Sequence, residues 1–447
     1  MPKFTLVSLG CAKNLVDSEV MIGKLGGAGW ELVPDAAEAD AVVVNTCAFI
    51  DPAKAESTQV ILEHAQAKRP DQRLIVAGCL SQRFGAQLQE LIPEIDGVVG
   101  TGAYAGIASL LDEAFAGLRP VRLAFEAEPE HDFLPRLITT PRATAYLKIA
   151  EGCDHPCTFC IIPQLRGAFR SRSEESILAE ARALAGAGTR ELILIAQDTS
   201  MWGRDRGIRR GGLARLLERL SEIPEIEWIR LLYLYPATVD SELIDAIAAL
   251  PKVCKYMDMP LQHAHPEMLR AMRRPSSGER YLEIVDEFRA RVPGITMRST
   301  FIAGFPGERE EHVAYLEEWL GRAQLDRVGF FAYSREEGTP AAELGAHVSE
   351  REKRRRLIRL REAARLAADR AREARLGNVV RVLVEERRRD TFVGRSMGEA
   401  PGVDGAIYFK SERRLEPGAF VEVRLVRSGA FDFYGELVAA PELAAVG

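Results

Sequence analysis

The chain has 447 residues, 47% of them hydrophobic and 28% charged, a balance that excludes disordered, collagenous and low-complexity classes. At roughly three times the ~150-residue domain prior, it is expected to form two to three domains. Net charge is −6, from 59 basic and 65 acidic residues, so nothing global advertises nucleic acid. No apolar run approaches the ~18 residues of a membrane span and no export signal opens the chain, which together predict a cytoplasmic protein.

In chain order, FTLVSL at 4–9, AVVVNT at 41–46 and LIVAGC at 74–79 read as strands with helical stretches between them. Alternation of this kind predicts a parallel α/β domain over 1–122. A Glu- and Pro-rich connection at 121–142 leads to AYLKIAEGC at 145–153. Further strands are expected at 191–196, 228–234, 254–259, 295–302 and 328–333, separated by helical patterns, which makes six β/α repeats and a partial parallel barrel over 140–350. Residues 351–376 hold 11 basic and 4 acidic residues without Gly or Pro and read as a solvated linker helix, stopped at Gly377. Short strands divided by Gly, Pro and Asp turns then predict a small antiparallel β-barrel at 378–441.

Seven cysteines without an export signal argue against a disulfide framework and for metal binding or catalysis. Cys11, Cys47 and Cys79 each follow the end of a predicted strand, the edge of an open parallel sheet where ligands collect. Cys153, Cys157 and Cys160 form C-x-x-x-C-x-x-C on the loop after another strand. Soft, closely spaced thiolates select zinc or iron–sulfur clusters. Closed zinc coordination would need a fourth ligand, for which His155 and Cys254 are the candidates; three ligands alone fit a cluster with one open iron. His155 reads better as a polar loop residue and Cys254 as core packing. His263 and His265, before Pro266, read as the polar start of a helix.

With Phe159 before the last cysteine, the motif resembles the radical S-adenosylmethionine (SAM) enzymes, and STFIAGFPGE at 299–308 resembles their adenine-contacting strand through Ile302 and Gly304. The whole chain is similar to the radical SAM methylthiotransferases, whose C-terminal barrel is a TRAM domain. SLGCAKNLVDSE at 8–19 and EGCDHPCTFCIIPQLRGAFRSR at 151–172 most resemble the branch that modifies an aspartate of ribosomal protein S-twelve. The tRNA-modifying branch reads Gly-Cys-Gln-Met-Asn near the start and Val-Val-Pro-Tyr-Thr-Arg-Gly after the cluster. Ala12 stands where the resembled branch usually has Pro.

That resemblance implies two 4Fe-4S clusters, one on Cys153, Cys157 and Cys160 and an auxiliary one on Cys11, Cys47 and Cys79. It further implies SAM as cofactor, with contacts from Phe159, Gln197, Asp198, Gln262, Ile302 and Gly304, and an electron donor and a sulfur donor as partners. Sulfur insertion at an unactivated C–H bond lies beyond side-chain acid–base chemistry, so a cofactor must carry it. The radical from reductive SAM cleavage would take hydrogen from the aspartate β-carbon, which would then receive the methylthio group. Arg166, Arg170 and Arg172 are candidates to hold a carboxylate of SAM or of the target. Residues 378–440 carry 10 basic and 10 acidic residues, a balance that requires no direct RNA binding and suits a basic protein partner, with Glu385, Glu386, Glu399, Asp404 and Asp432 as contacts. The competing readings are a tRNA methylthiotransferase and a zinc or redox-sensing protein without turnover.

Overall fold

The computed structural model describes residues 1–123 and 136–438. Residues 124–135 of the connecting stretch and 439–441 of the expected barrel lie outside them. The run Ala41–Thr46 is buried along its whole length, as a central parallel strand covered on both faces must be. It pairs in parallel with Lys3–Ser8 on one side and Arg73–Gly78 on the other. Three short parallel strands, Glu31–Leu32, Gly97–Val99 and Val121–Arg122, extend this to a six-stranded sheet. At two or three residues each, they are too short to show an alternating pattern in the sequence.

Six further parallel strands follow. Thr144–Lys148, Glu191–Ile195 and Trp228–Leu231 form one sheet; Tyr256–Asp258, Thr296–Ala303 and Arg327–Ala332 form another. A parallel bridge between Ile229 and Val253 joins the two, so the six repeats make one continuous series. Cys254 follows that bridge and is buried among Trp228, Tyr256 and Ile193, which is the core role expected of it.

The helix Glu350–Ala374 is not simply solvated. Leu360, Ala364 and Ala367 are buried along one stripe, with Leu360 and Ala364 joining the core of the six-repeat unit. Lys353 donates to the Tyr333 carbonyl (2.7 Å) and Arg356 to the Glu308 carbonyl (2.9 Å). Long basic side chains here bury their stems and anchor their heads, so a charge-rich sequence conceals a packed face.

The last unit is a closed five-stranded barrel in the order Val379–Arg388, Thr391–Arg395, Ile407–Lys410, Phe433–Leu437, Phe420–Ser428, with one parallel pair between Ile407–Lys410 and Phe433–Leu437. Closure removes the exposed strand edges that such short strands would otherwise present. Its contacts correct the expected acidic docking surface. Glu399 is fully buried and pairs with Arg375 (2.5 Å) and Arg327 (3.2 Å). Asp404 accepts from the Tyr256 hydroxyl (2.7 Å) and is also covered. Both carboxylates face the six-repeat unit and join the barrel to it. Asp432 caps the Ala406 amide and Glu385 pairs with Arg395, which leaves Glu386 as the exposed member of the five.

One apolar cluster crosses all three units: Val16 and Val20 of the first, Ile193, Trp228 and Tyr256 of the second, Leu383 and Ala400 of the barrel. Buried ion pairs reinforce it. Glu336 receives both Lys54 and Arg83 at 2.7 Å, and Arg136 binds Glu19 and Glu180 at 2.6 Å each. These contacts tie the first unit to the second.

Candidate active site

Cys11, Cys47 and Cys79 each follow a strand directly or within three residues: after Lys3–Ser8, after Ala41–Thr46, and as the first residue of the helix Cys79–Phe84. Two glycines let the three loops converge. Gly10 has φ +90, and a Cβ there would sit 2.7 Å from Cys47 Cβ; Gly78 has φ +92, and a Cβ there would meet Asn45 Oδ1 at 2.3 Å. Only a residue without a side chain tolerates both the backbone and the approach. Asn14, fully buried, then ties the loops together. Its Nδ2 donates to the carbonyls of Leu9 (2.9 Å) and Thr46 (2.7 Å), and its Oδ1 lies 3.8 Å from Cys79 Sγ. Sequence reasoning passed over Asn14, although an Asn three residues after a cysteine at a helix start was a usable signal.

The second trio sits on the loop after the hairpin strand Ala150–Glu151. Gly152 has φ +82 and lies so close to the Ala168 carbonyl that any side chain would collide with it. The Cys153 amide donates to Gly167 (3.1 Å) and the Cys160 amide to Cys157 (3.1 Å), which winds the loop tightly. Arg274 approaches Cys157 Sγ at 3.7 Å and lies over the Tyr235 ring.

A buried charge cluster separates the trios. Arg166 donates to Asp17 (2.8 Å), Glu151 (3.0 Å) and Asn14 Oδ1 (2.6 Å), and reaches Cys79 Sγ at 3.7 Å. Lys148 binds the same Asp17 and Glu151. Glu151 also accepts from Gln197 at 2.7 Å. A chain of direct contacts therefore runs from Cys79 through Arg166 to Glu151, two residues before Cys153. Burial by itself would raise the Glu151 carboxyl, but Arg166 and Lys148 outweigh it and hold it well below the carboxylate range. The expectation that Arg166 and Arg172 hold an incoming carboxylate is corrected here, because the chain supplies their partners. Arg172 is bound to Glu180 (2.5 Å) and to Ser176, while Arg170 donates to the Ala168 carbonyl at 2.8 Å.

Burial pushes the thiols of Cys79 and Cys160 up to about 12 and that of Cys153 to about 11. For Cys11, burial acts in the same direction, but Lys13 and Arg166 overcome it and the thiol is lowered. Thiols held protonated by burial are deprotonated by a coordinating metal. Cys11 keeps accessible surface. The donor sets fit iron–sulfur clusters better than zinc. A tetrahedral zinc with Zn–S of about 2.3 Å brings its sulfurs to about 3.8 Å from one another, whereas neither trio has its three sulfurs all within 4.8 Å. A four-iron cubane attaches each sulfur at a separate corner and spreads them further apart.

Of the expected SAM contacts, Phe159 and Ile302 pack together on the apolar cluster of Met268, Met272, Phe305 and Tyr333. Gln197 and Gln262 are half-buried at strand ends; Gln197 Oε1 is buried without a partner among the described residues, and Gln262 holds a left-handed backbone at φ 73. Asp198 is fully buried and committed to Ser200, Thr238 and His155 (2.7 Å). It fixes the His155 ring, which stacks on Tyr235 at 3.6 Å. Gly304 donates its amide to Glu308, and a Cβ there would meet the Lys353 stem at 2.4 Å. Asp198 is therefore committed to the chain's own groups, and Gly304 is fixed by its close approach to Lys353.

The histidines behave as the sequence suggests. His265 caps the helix Pro266–Ala271 by accepting from the Glu267 amide (3.2 Å), and His263 Nδ1 accepts two backbone amides. His265, Glu267 and His312 cluster closely enough for a metal. Yet both imidazoles accept a backbone amide at Nδ1, which puts the proton on Nε2, the nitrogen that would have to ligate.

Comparison with known proteins gives the family. Residues 3–100 match the model of Uncharacterized protein family UPF0004, 147–320 that of the Radical SAM superfamily and 376–438 that of the TRAM domain. The ribosomal protein uS12 methylthiotransferase RimO of Desulforamulus reducens is 45% identical, covering 98% of this chain and 100% of its own length. The chain belongs to the RimO family of radical SAM methylthiotransferases. RimO of Symbiobacterium thermophilum is 46% identical over 97% of this chain and 90% of its own. Among solved structures, the radical SAM methyltransferase TsrM of Kitasatospora setae superposes with a TM-score of 0.56 at 18% identity, covering 76% of this chain and 77% of that one, a likeness of fold. Family membership makes the chain a radical SAM enzyme, with a 4Fe-4S cluster and SAM as its cofactors. Among the described residues, no helix is long and apolar enough to cross a membrane.

Proposed function

We propose that the chain adds a methylthio group to the β-carbon of an aspartate in ribosomal protein uS12, working in the cytoplasm on the ribosomal protein or the small subunit. Cys153, Cys157 and Cys160 would hold the SAM-binding cluster and Cys11, Cys47 and Cys79 a second, auxiliary one. When bound, the clusters and SAM supply one-electron and sulfur-transfer chemistry that no side chain offers. The observation that supports this reading is the chain of contacts from Cys79 through Arg166 to Glu151, two residues before Cys153.

The chain's own residues do the remaining work. Phe159 and Ile302 offer an apolar surface to the adenosine of SAM, and Gln197 and Gln262 present amides to its polar groups. Arg166 and Lys148 set the spacing of the two trios and keep Glu151 ionised between them. The domain limits 1–122, 140–350 and 378–441 belong to the same reading, with 351–376 as the connecting helix; an electron donor and a sulfur donor complete it. Mass spectrometry of uS12 and of tRNA from cells lacking the gene tests the substrate. Loss of the methylthio group from uS12, with tRNA unchanged, is expected; loss from tRNA alone would overturn it.

A further inference from the structure

Lys13 occupies an unfavourable place for a cation. It lies in the first turn of the helix Ala12–Gly27, where the helix dipole opposes positive charge, and is only 8% exposed. Buried ammonium groups are normally paired with carboxylates. Among the described residues, none lies within 4.0 Å of Lys13. Its Nζ donates to the Ala196 carbonyl (3.2 Å) and stands 3.1 Å from the centroid of the Tyr233 ring. An ammonium has three donors, and one protein acceptor accounts for one of them.

The surroundings are built to keep the ammonium there. Tyr233 has φ 63, a left-handed conformation that is costly for an aromatic residue. Asp258 accepts its amide at 3.0 Å and Thr199 donates to its carbonyl at 3.0 Å. Asp258 is in turn held by Arg298 at 2.6 Å. Strain fixed at both its amide and its carbonyl puts the ring beneath Lys13. Next to Ala196 stands Gln197, whose Oε1 is buried without a partner among the described residues.

We infer that Lys13 binds the side-chain carboxylate of the target aspartate. This rests on the proposed function. The inference goes to the substrate rather than to SAM because Lys13 adjoins Cys11, in the trio the acceptor must reach, rather than the Cys153 loop. A carboxylate is one bond from the β-carbon, so a hold on it positions the reacting carbon while Tyr233 and the Ala196 carbonyl fix the ammonium.

The test uses the full-length, anaerobically reconstituted enzyme with uS12 and with uS12 carrying asparagine at the target position. Equilibrium binding of both is measured for the wild type, Lys13→Met and Lys13→Arg, and SAM affinity in parallel. The wild type should bind the aspartate form about tenfold more tightly, the scale of one charge-assisted hydrogen bond. Lys13→Met should bind both forms alike, and Lys13→Arg should restore part of the preference. Iron and sulfide contents equal to wild type certify folding; should Lys13→Met fail to load, Lys13→Gln is measured in its place, and an undiminished aspartate preference there overturns the inference. An unchanged aspartate preference in Lys13→Met overturns it, as does a loss of SAM affinity with that preference intact. A wild-type enzyme that leaves uS12 unmodified and binds neither form sinks the proposed function instead.

Discussion

The two cysteine trios reach similar ends by opposite routes. Cys153, Cys157 and Cys160 lie within eight residues on one loop, wound by its own backbone bonds to Gly167 and Cys157. Cys11, Cys47 and Cys79 come from three strand ends and meet only because the sheet brings them there, because Gly10 and Gly78 leave room, and because Asn14 binds two of the loops and approaches the third. A local motif survives moderate disturbance of the fold, whereas an assembled site depends on every element beneath it.

The sharpest break of this comparison is to remove one thiol from each side. Cys157→Ala is expected to abolish SAM cleavage, measured as 5′-deoxyadenosine formed. Cys47→Ala should retain part of that cleavage and stop sulfur transfer to uS12; unimpaired transfer would remove the need for the N-terminal trio. Arg166→Met comes next. It leaves Asp17 and Glu151 buried with Lys148 alone, and breaking a buried ion-pair cluster costs about 3–5 kcal/mol. Denaturant unfolding should show this, with loss of the N-terminal metal before that of the Cys153 loop.

Glu191 serves as the control, remote from both trios. Burial would raise its carboxyl, but Arg395 and Arg230 hold it at about 2. A depressed value contributes stability above the unfolded carboxylate range and loses it as pH falls from there toward 2, about 3 kcal/mol in all. Glu191→Gln should flatten that acid limb of a stability–pH profile without favouring either trio. Asn14→Ala has the smallest effect on stability, about 1–3 kcal/mol for the unsatisfied groups it leaves. It should still lower iron retention at the N-terminal trio and spare the other, and equal losses at both would contradict the contrast drawn here.

Legibility in the sequence follows the same division. The Cys153 motif and the strand Ala41–Thr46 are local patterns, and both were readable residue by residue. The convergence of the N-terminal thiols was readable only as a repeated position after strand ends. What was misread depended on distant partners. Arg166 looked available for a ligand because Asp17 lies 149 residues away in sequence. Glu399 and Asp404 looked like surface charge because their partners Arg327 and Tyr256 belong to another unit. The basic composition of the helix Glu350–Ala374 hid the stripe of Leu360, Ala364 and Ala367 that packs inward. Charge counts report how many groups there are, and only the fold determines which of them meet.

The most direct test of two facing iron–sulfur sites is the iron and acid-labile sulfide content after anaerobic reconstitution, in the wild type and in variants lacking either trio. The account predicts about eight irons and eight sulfides per wild-type chain and about four of each in either variant. About four in the wild type, unchanged when Cys11, Cys47 and Cys79 are replaced, or one zinc without sulfide, would contradict it.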